Sequence, residues 1–359
     1  RLNLLGIDAI PHTAHAANIP MQKRAVRVSP PLPPLRNRGD EQMSSLVFSF
    51  NTVTPVFLLV AIGWLARKVG LVGEHFVDEA SKLNFRTGLP ALLFLSIYQT
   101  EGPSLFNWKF IGFMTGGCMA SALVLCLFVP KFIRDRKKAS AFIHCVFKPN
   151  MIVLGFPLAL MAFGKEHSAA ISMLMPVLVP ANNIAAVLIL CALDPEERDR
   201  TDSLWRSVAG IVRNPIILAA AAAILLQQFQ VPLPSFLLKL LSSLSDMATP
   251  FALITLGAQM TMKAALSDRG YVISATVLKV LVTPLVIVPI AYFFGFRGYE
   301  LAAAFIVSAS PSAVNSYMLA REMRSDEVLT GEIILGTTFC SMFVIFIGIY
   351  MLKAFAVIA

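Results

Sequence analysis

Long apolar runs separated by short polar loops organise the chain. Ten such runs lie near residues 47–67, 76–98, 110–130, 139–163, 168–193, 207–228, 235–260, 271–295, 299–321 and 327–355. A helix needs about 20 apolar residues to cross a hydrocarbon core roughly 30 Å thick. Lipid offers no hydrogen bonds to a backbone, so runs of this length and separation are expected to be helices. The pattern predicts an all-α polytopic membrane protein with ten transmembrane helices, leaving no length for a second soluble domain.

The ten runs divide into two copies of five. Pro55 and Pro215, Phe76 and Phe236, Pro90 and Pro250, Leu93 and Leu253, and Gln99 and Gln259 are each 160 residues apart. Pro149 and Pro311 are 162 apart, each followed by a hydrogen-bonding side chain, Asn150 or Ser312. Five crossings is an odd number, so the second copy must enter the membrane inverted, an arrangement typical of secondary transporters. The expected organisation is an N-terminal extension over 1–45, a first repeat over 46–193, a cytoplasmic linker over 194–206 and a second repeat over 207–359.

Composition agrees with a membrane protein. Hydrophobic residues make up 57% of the chain and charged residues 14%, against roughly 25% charged in a soluble domain. The net charge of +9 does not imply nucleic acid, because its positions follow the membrane pattern. Loops after the odd-numbered runs hold fourteen basic residues, and loops after the even-numbered runs hold Lys109, Lys165 and Arg297. That bias places the odd loops in the cytoplasm and both termini on the other side of the cell membrane. Residues 1–42 carry six basic and three acidic residues and a proline-rich stretch from Ser29 to Pro34, a composition that cannot bury a core. They read as an upstream extension before a start at Met43, or alternatively as a disordered regulatory tail. The first apolar run is too long for a signal-peptide core and lacks a small-residue cleavage site.

The chemistry is expected where helices break. Proline removes a backbone hydrogen bond and crowds the preceding turn. Lys148-Pro149-Asn150 in the fourth run and Ser310-Pro311-Ser312, continuing to Asn315, in the ninth combine a breaker with polar groups. At about 1.5 Å per residue, both prolines fall roughly 15–18 Å deep. Unwound backbone there must line a cavity or be buried in protein. Half-helices starting at Asn150 and Ser312 would aim their positive ends at an anion. The plainer alternative is a pair of capped proline kinks, with Lys148 a vestibule lysine facing cytoplasmic water.

Three further groups stand out. Asn182 and Asn183 in the fifth run point about 100° apart, so at least one can face the interior, lining the site or bonding between helices. Asp246 and Lys279 lie inside their runs as a candidate ion pair, and Arg86 occupies the repeat position of Asp246. The five cysteines, Cys118, Cys126, Cys145, Cys191 and Cys340, show no metal or disulfide spacing and read as small buried hydrophobes. A phosphate-binding GxxxxGK[ST] loop, HExxH and GxSxG are absent from the sequence, which argues against ATP-driven transport and the commonest hydrolases. An enzyme is not expected.

From about Leu46 to Leu352 the sequence resembles the auxin efflux carrier family, which includes plant PIN-FORMED carriers and bacterial dicarboxylate carriers. The resemblance is carried by Pro149-Asn150-Met151-Ile152-Val153-Leu154-Gly155-Phe156-Pro157, by Arg213-Asn214-Pro215, by Leu256-Gly257-Ala258, and by Ser310-Pro311 with Leu319-Ala320-Arg321-Glu322. It implies a fold like that of bile-acid/sodium symporters, with helices 4 and 9 crossing at their breaks beside a substrate. Pro149 and Pro311 would then take the crossover role, and Asn150 a carboxylate-binding role. Lys148 departs from the plant carriers, which are uncharged there, and favours a small or doubly charged carboxylate such as malate or malonate over an indole acid.

The expected function is alternating-access secondary transport of small organic anions. A sodium-coupled bile-acid-type symporter and a transport-dead membrane sensor of the same fold are the alternatives. No cofactor is expected beyond a coupling ion, H+ or Na+. The expected partners are a carboxylate substrate, membrane lipid and, as an option left open, a second copy of the chain.

Overall fold

The computed structural model describes residues 38–99, 107–193, 213–259, 268–355 and 357. Within them the chain is helical, with one isolated backbone bridge between Pro149 and Ser312. The helices are α1 (Arg38–Lys68), α2 (Glu74–Arg86), α3 (Gly88–Tyr98), α4 (Trp108–Phe132), α5 (Arg136–Phe147), α6 (Phe156–His167) and α7 (Ala169–Leu193) in the first half. The second half holds α8 (Pro215–Gln228), α9 (Ser235–Gln259), α10 (Arg269–Thr276), α11 (Thr283–Phe293), α12 (Gly298–Ala309), α13 (Asn315–Glu322) and α14 (Glu327–Ala354). A π-turn, Met151–Gly155, precedes α6, and another, Val277–Val282, joins α10 to α11.

Six helical stretches among the described residues are long and apolar enough to span a membrane, and Met151–Gly164, Pro215–Gln228 and Gly298–Ala309 are shorter apolar helices. Local chemistry sets several starts. Asn107, Asp135, Asn214 and Asp326 each accept a backbone N–H of the first turn of α4, α5, α8 and α14, as N-capping side chains do. α1 is already helical at Arg38, the first described residue, ahead of the expected boundary at 46. The tail before Arg38 and the linker over 194–206 lie outside the described residues. The second apolar run is divided at Thr87, whose φ of −126° and ψ of −64° leave the helical region.

Three helix pairs pack most extensively, α1 against α9, α3 against α9 and α3 against α8. The first is a backbone contact. A Cβ at Gly63 would lie 1.9 Å from the Ile254 carbonyl oxygen, and one at Gly257 the same distance from that of Val60. Small residues drive such close approach in membranes, where dispersion and backbone contacts replace the hydrophobic effect. Asn84 adds a polar tie, donating from Nδ2 to the Ala248 carbonyl at 2.9 Å. The largest buried apolar cluster runs through α1, α3, α6, α7, α9 and α12, while α4, α5, α10 and α14 share a second cluster. Between these clusters lie the two breaks.

Candidate functional site

Pro149 has no N–H to offer the Cys145 carbonyl four residues earlier, so helix α5 must end with an orphan acceptor. Ser312 repairs it. Its hydroxyl donates to the Cys145 carbonyl at 2.7 Å, across 167 residues of sequence. Around that bond the backbones pair antiparallel: Asn150 N–H donates to the Pro311 carbonyl at 2.7 Å, and Ala313 N–H donates to the Lys148 carbonyl at 3.2 Å. Ser312 N–H donates to Thr337 Oγ1 of α14 at 3.2 Å. Gly155 lets the π-turn approach α12 closely, because a Cβ there would lie 2.9 Å from Ser310 Oγ. The two breaks therefore meet and satisfy each other, which a pair of independent kinks would not do.

This crossing brings together Lys148, Pro149, Asn150, Met151, Ser310, Pro311 and Ser312, all buried. Lys148 is 5% exposed and Asn150 is 3% exposed. Asn150 Nδ2 has no hydrogen-bond partner. Among the described residues the Lys148 side chain forms neither a hydrogen bond nor an ion pair. A buried cation and a buried amide donor without acceptors are costly in a low-dielectric interior. α5 and α12 end at the crossing, and the π-turn before α6 and helix α13 begin near it.

The second half-helix starts at Asn315 rather than at Ser312. The reason lies in the antiparallel bridge just described, which holds the backbone around Ser312 in extended pairing with Lys148–Asn150 and so delays the helical turn. Asn315 is exposed in the first turn of α13, outside the packed centre of the crossing. Of the two amides in α7, Asn182 is buried with its Oδ1 unpartnered, and Asn183 is half-buried. α7 packs against the π-turn after Asn150.

The intramembrane charges separate. Lys279 is 1% exposed, whereas Asp246 and Arg86 are exposed, and no ion pair joins Asp246 to Lys279 among the described residues. The candidate pairing is corrected on that ground: the two faces of their helices point in different directions. Cys145 is buried, but Cys118, Cys126 and Cys340 are only half-buried; the side chain of Cys191 lies outside the described residues.

Sequence reasoning missed four groups. His144 is fully buried with both ring nitrogens unpartnered. It sits one helical turn before Lys148, a spacing that was readable. Cys145 was readable too, as the residue four before Pro149. Thr337 and Glu332 of α14 carry no local signal; Thr337 is found only through its bond to Ser312, and Glu332 is 3% exposed with both carboxylate oxygens unpartnered. Nearer the loops, Lys138 Nζ contacts both oxygens of Asp268, the shorter at 2.7 Å, and the carboxylate raises the lysine's pKa above its usual value.

Apolar helices of membrane-spanning length, packed around a polar crossing of two helix breaks, mark an integral membrane protein. Comparison with known proteins gives the class its family. The profile of the membrane transport protein family matches residues 48–349, and the chain belongs to that family, the one of auxin efflux carriers. An uncharacterised transporter of Methanocaldococcus jannaschii is 23% identical over 303 residues, covering 82% of this chain and 96% of its own. An uncharacterised transporter of Methanothermobacter thermautotrophicus is 23% identical over 308 residues, covering 82% and 95%. The chain is a membrane transporter by family.

Proposed function

We propose that this protein is a secondary transporter of small organic anions that works by alternating access, with the ligand held at the crossing of the two breaks. The observation that carries the reading is the unpartnered pair of donors at that crossing, Lys148 and Asn150 Nδ2. Neither has an acceptor among the described residues. A carboxylate would accept from both, aided by the positive end of the π-turn and α6.

The same reading takes the chain as ten crossings in a five-plus-five inverted repeat. The helix contacts support it. An offset near 160 residues converts α1 into α8 and α9 into the α2–α3 pair, so the α1–α9 and α3–α8 contacts exchange under the pseudo-symmetry. The distribution of basic loop residues supports cytoplasmic odd loops and external termini.

The test is uptake into proteoliposomes of a labelled short carboxylate, with Asn150→Ala and Lys148→Ala beside the unmodified protein. Losing one charge-assisted hydrogen bond, about 1.5–3 kcal/mol, weakens ligand binding by roughly tenfold or more. Binding unchanged in both variants would move the ligand away from the crossing.

A further inference from the structure

Lys148 is not the only cation buried beside the crossing. Lys279 is 1% exposed and belongs to the π-turn Val277–Val282. An extra residue in a π-turn rotates the following side chains off the regular helical face, and such turns recur at functional sites. This one packs against α5, α12 and α14. Those are the two half-helices that end at the breaks and the helix that gives Thr337 to Ser312. Pro284, at the start of α11, cannot donate an N–H, which loosens the ladder over the same turn.

The Lys279 side chain has no hydrogen bond or ion pair among the described residues. The acidic groups do not neutralise it. Asp246 is exposed. The buried Glu332 interacts with Asp268, Asp326 and Lys138 toward the loops rather than with either buried lysine. Cys145 of α5 lies within electrostatic reach of both lysines, and Cys118 of α4 within reach of Lys279 as well. Two buried lysines, one at the end of α5 and one in a turn packed against it, thus have no acidic partner among the described residues. Such charges are rare unless they pair or bind a ligand.

We infer that Lys279 is a second anion-binding group of the crossing, and that Lys148 and Lys279 together select a ligand with two carboxylates. This rests on the reading of the crossing as the ligand site and sharpens it. One carboxylate takes the Lys148–Asn150 donors and the other takes Lys279.

The experiment measures binding to purified protein in nanodiscs of malonate, succinate and glutarate, each against the monocarboxylate of equal chain length. The unmodified protein is expected to prefer dicarboxylates by about tenfold or more, the worth of one further charge-assisted bond. Lys279→Met, close in length but neutral, is expected to bring that preference within about twofold while leaving monocarboxylate affinity nearly unchanged, since only the second charge is lost. Lys279→Arg keeps the preference in part. Should Lys279→Met compromise folding, Lys279→Gln, neutral but still polar, gives the same readout. Equal losses for both ligand classes in Lys279→Met, or no loss in either, overturn the role of Lys279 while leaving the crossing as the site. Absence of any carboxylate binding by the unmodified protein overturns the anion reading itself.

Discussion

Replacing Ser312 by alanine is the sharpest probe of the crossing. The hydroxyl donates to the Cys145 carbonyl at 2.7 Å, and Pro149 denies that carbonyl its helical partner. Ser312 is fully buried, so no water replaces the lost donor, and an orphaned buried acceptor costs about 1–3 kcal/mol. Ser308→Ala is the control. Ser308 Oγ donates at 3.0 Å to the Phe305 carbonyl, which lies inside α12 and keeps its helical partner, so its loss stays near the net worth of one hydrogen bond, about 0.5–1.5 kcal/mol. Thermal unfolding in nanodiscs reads the difference; at roughly 2–4 °C per kcal/mol, Ser312→Ala should fall by roughly 2–12 °C and by more than Ser308→Ala. Pro149→Ala restores a backbone N–H, so Ser312→Ala should cost less in that background, with a coupling of about 0.5 kcal/mol or more. Equal effects of the two serines, together with strict additivity with Pro149→Ala, would refute the claim that Ser312 repairs the break.

Three further outcomes are expected. Gly63→Val or Gly257→Val should destabilise the α1–α9 contact by about 1–3 kcal/mol as overpacking does, seen as a lowered unfolding temperature, because an added Cβ would lie 1.9 Å from a carbonyl oxygen in either case; Gly116→Val, with open space at its Cβ, should be tolerated. The Lys138–Asp268 pair raises the lysine's pKa. Its contribution to stability is therefore complete below the unfolded-state value near 10.4 and is lost as pH rises through the higher folded value, so an alkaline unfolding titration of Lys138→Met should lack that step. A cysteine placed at 134 should react with an impermeant maleimide only from the cytoplasmic face; labelling from outside intact cells would reverse the orientation argued from the loop charges.

Much of the helical layout was legible because a membrane imposes a simple grammar of length and hydropathy. Every apolar run within the described residues is helical, and the fourth and ninth runs break at Pro149 and Pro311. What escaped was set by partners distant in sequence. The start of α13 at Asn315 depends on the bridge that holds Ser312 against Pro149, two residues 163 apart in sequence. The π-turn around Lys279 has no helix breaker within it, and Pro284 just beyond it signals a kink in the run without showing that the ladder gains a residue. The break at Thr87 was hidden for a similar reason: a threonine beside Gly88 is compatible with a continuous helix until tertiary contacts decide. Asp246 and Lys279 were paired on depth alone, and depth does not say which way a helix face turns.

The bridge between Pro149 and Ser312 also behaves as a rivet. Four half-helices meet at it, and two backbone hydrogen bonds together with the Ser312 hydroxyl fasten them through their least regular residues. Sliding one broken helix past the other would cut all three bonds at once in a medium that offers no replacement. The crossing is consequently stiff against shear, and any large rearrangement of the protein must carry α5, α6, α12 and α13 as one piece. Under the proposed function, the ligand's surroundings travel intact while access to them changes at the piece's borders.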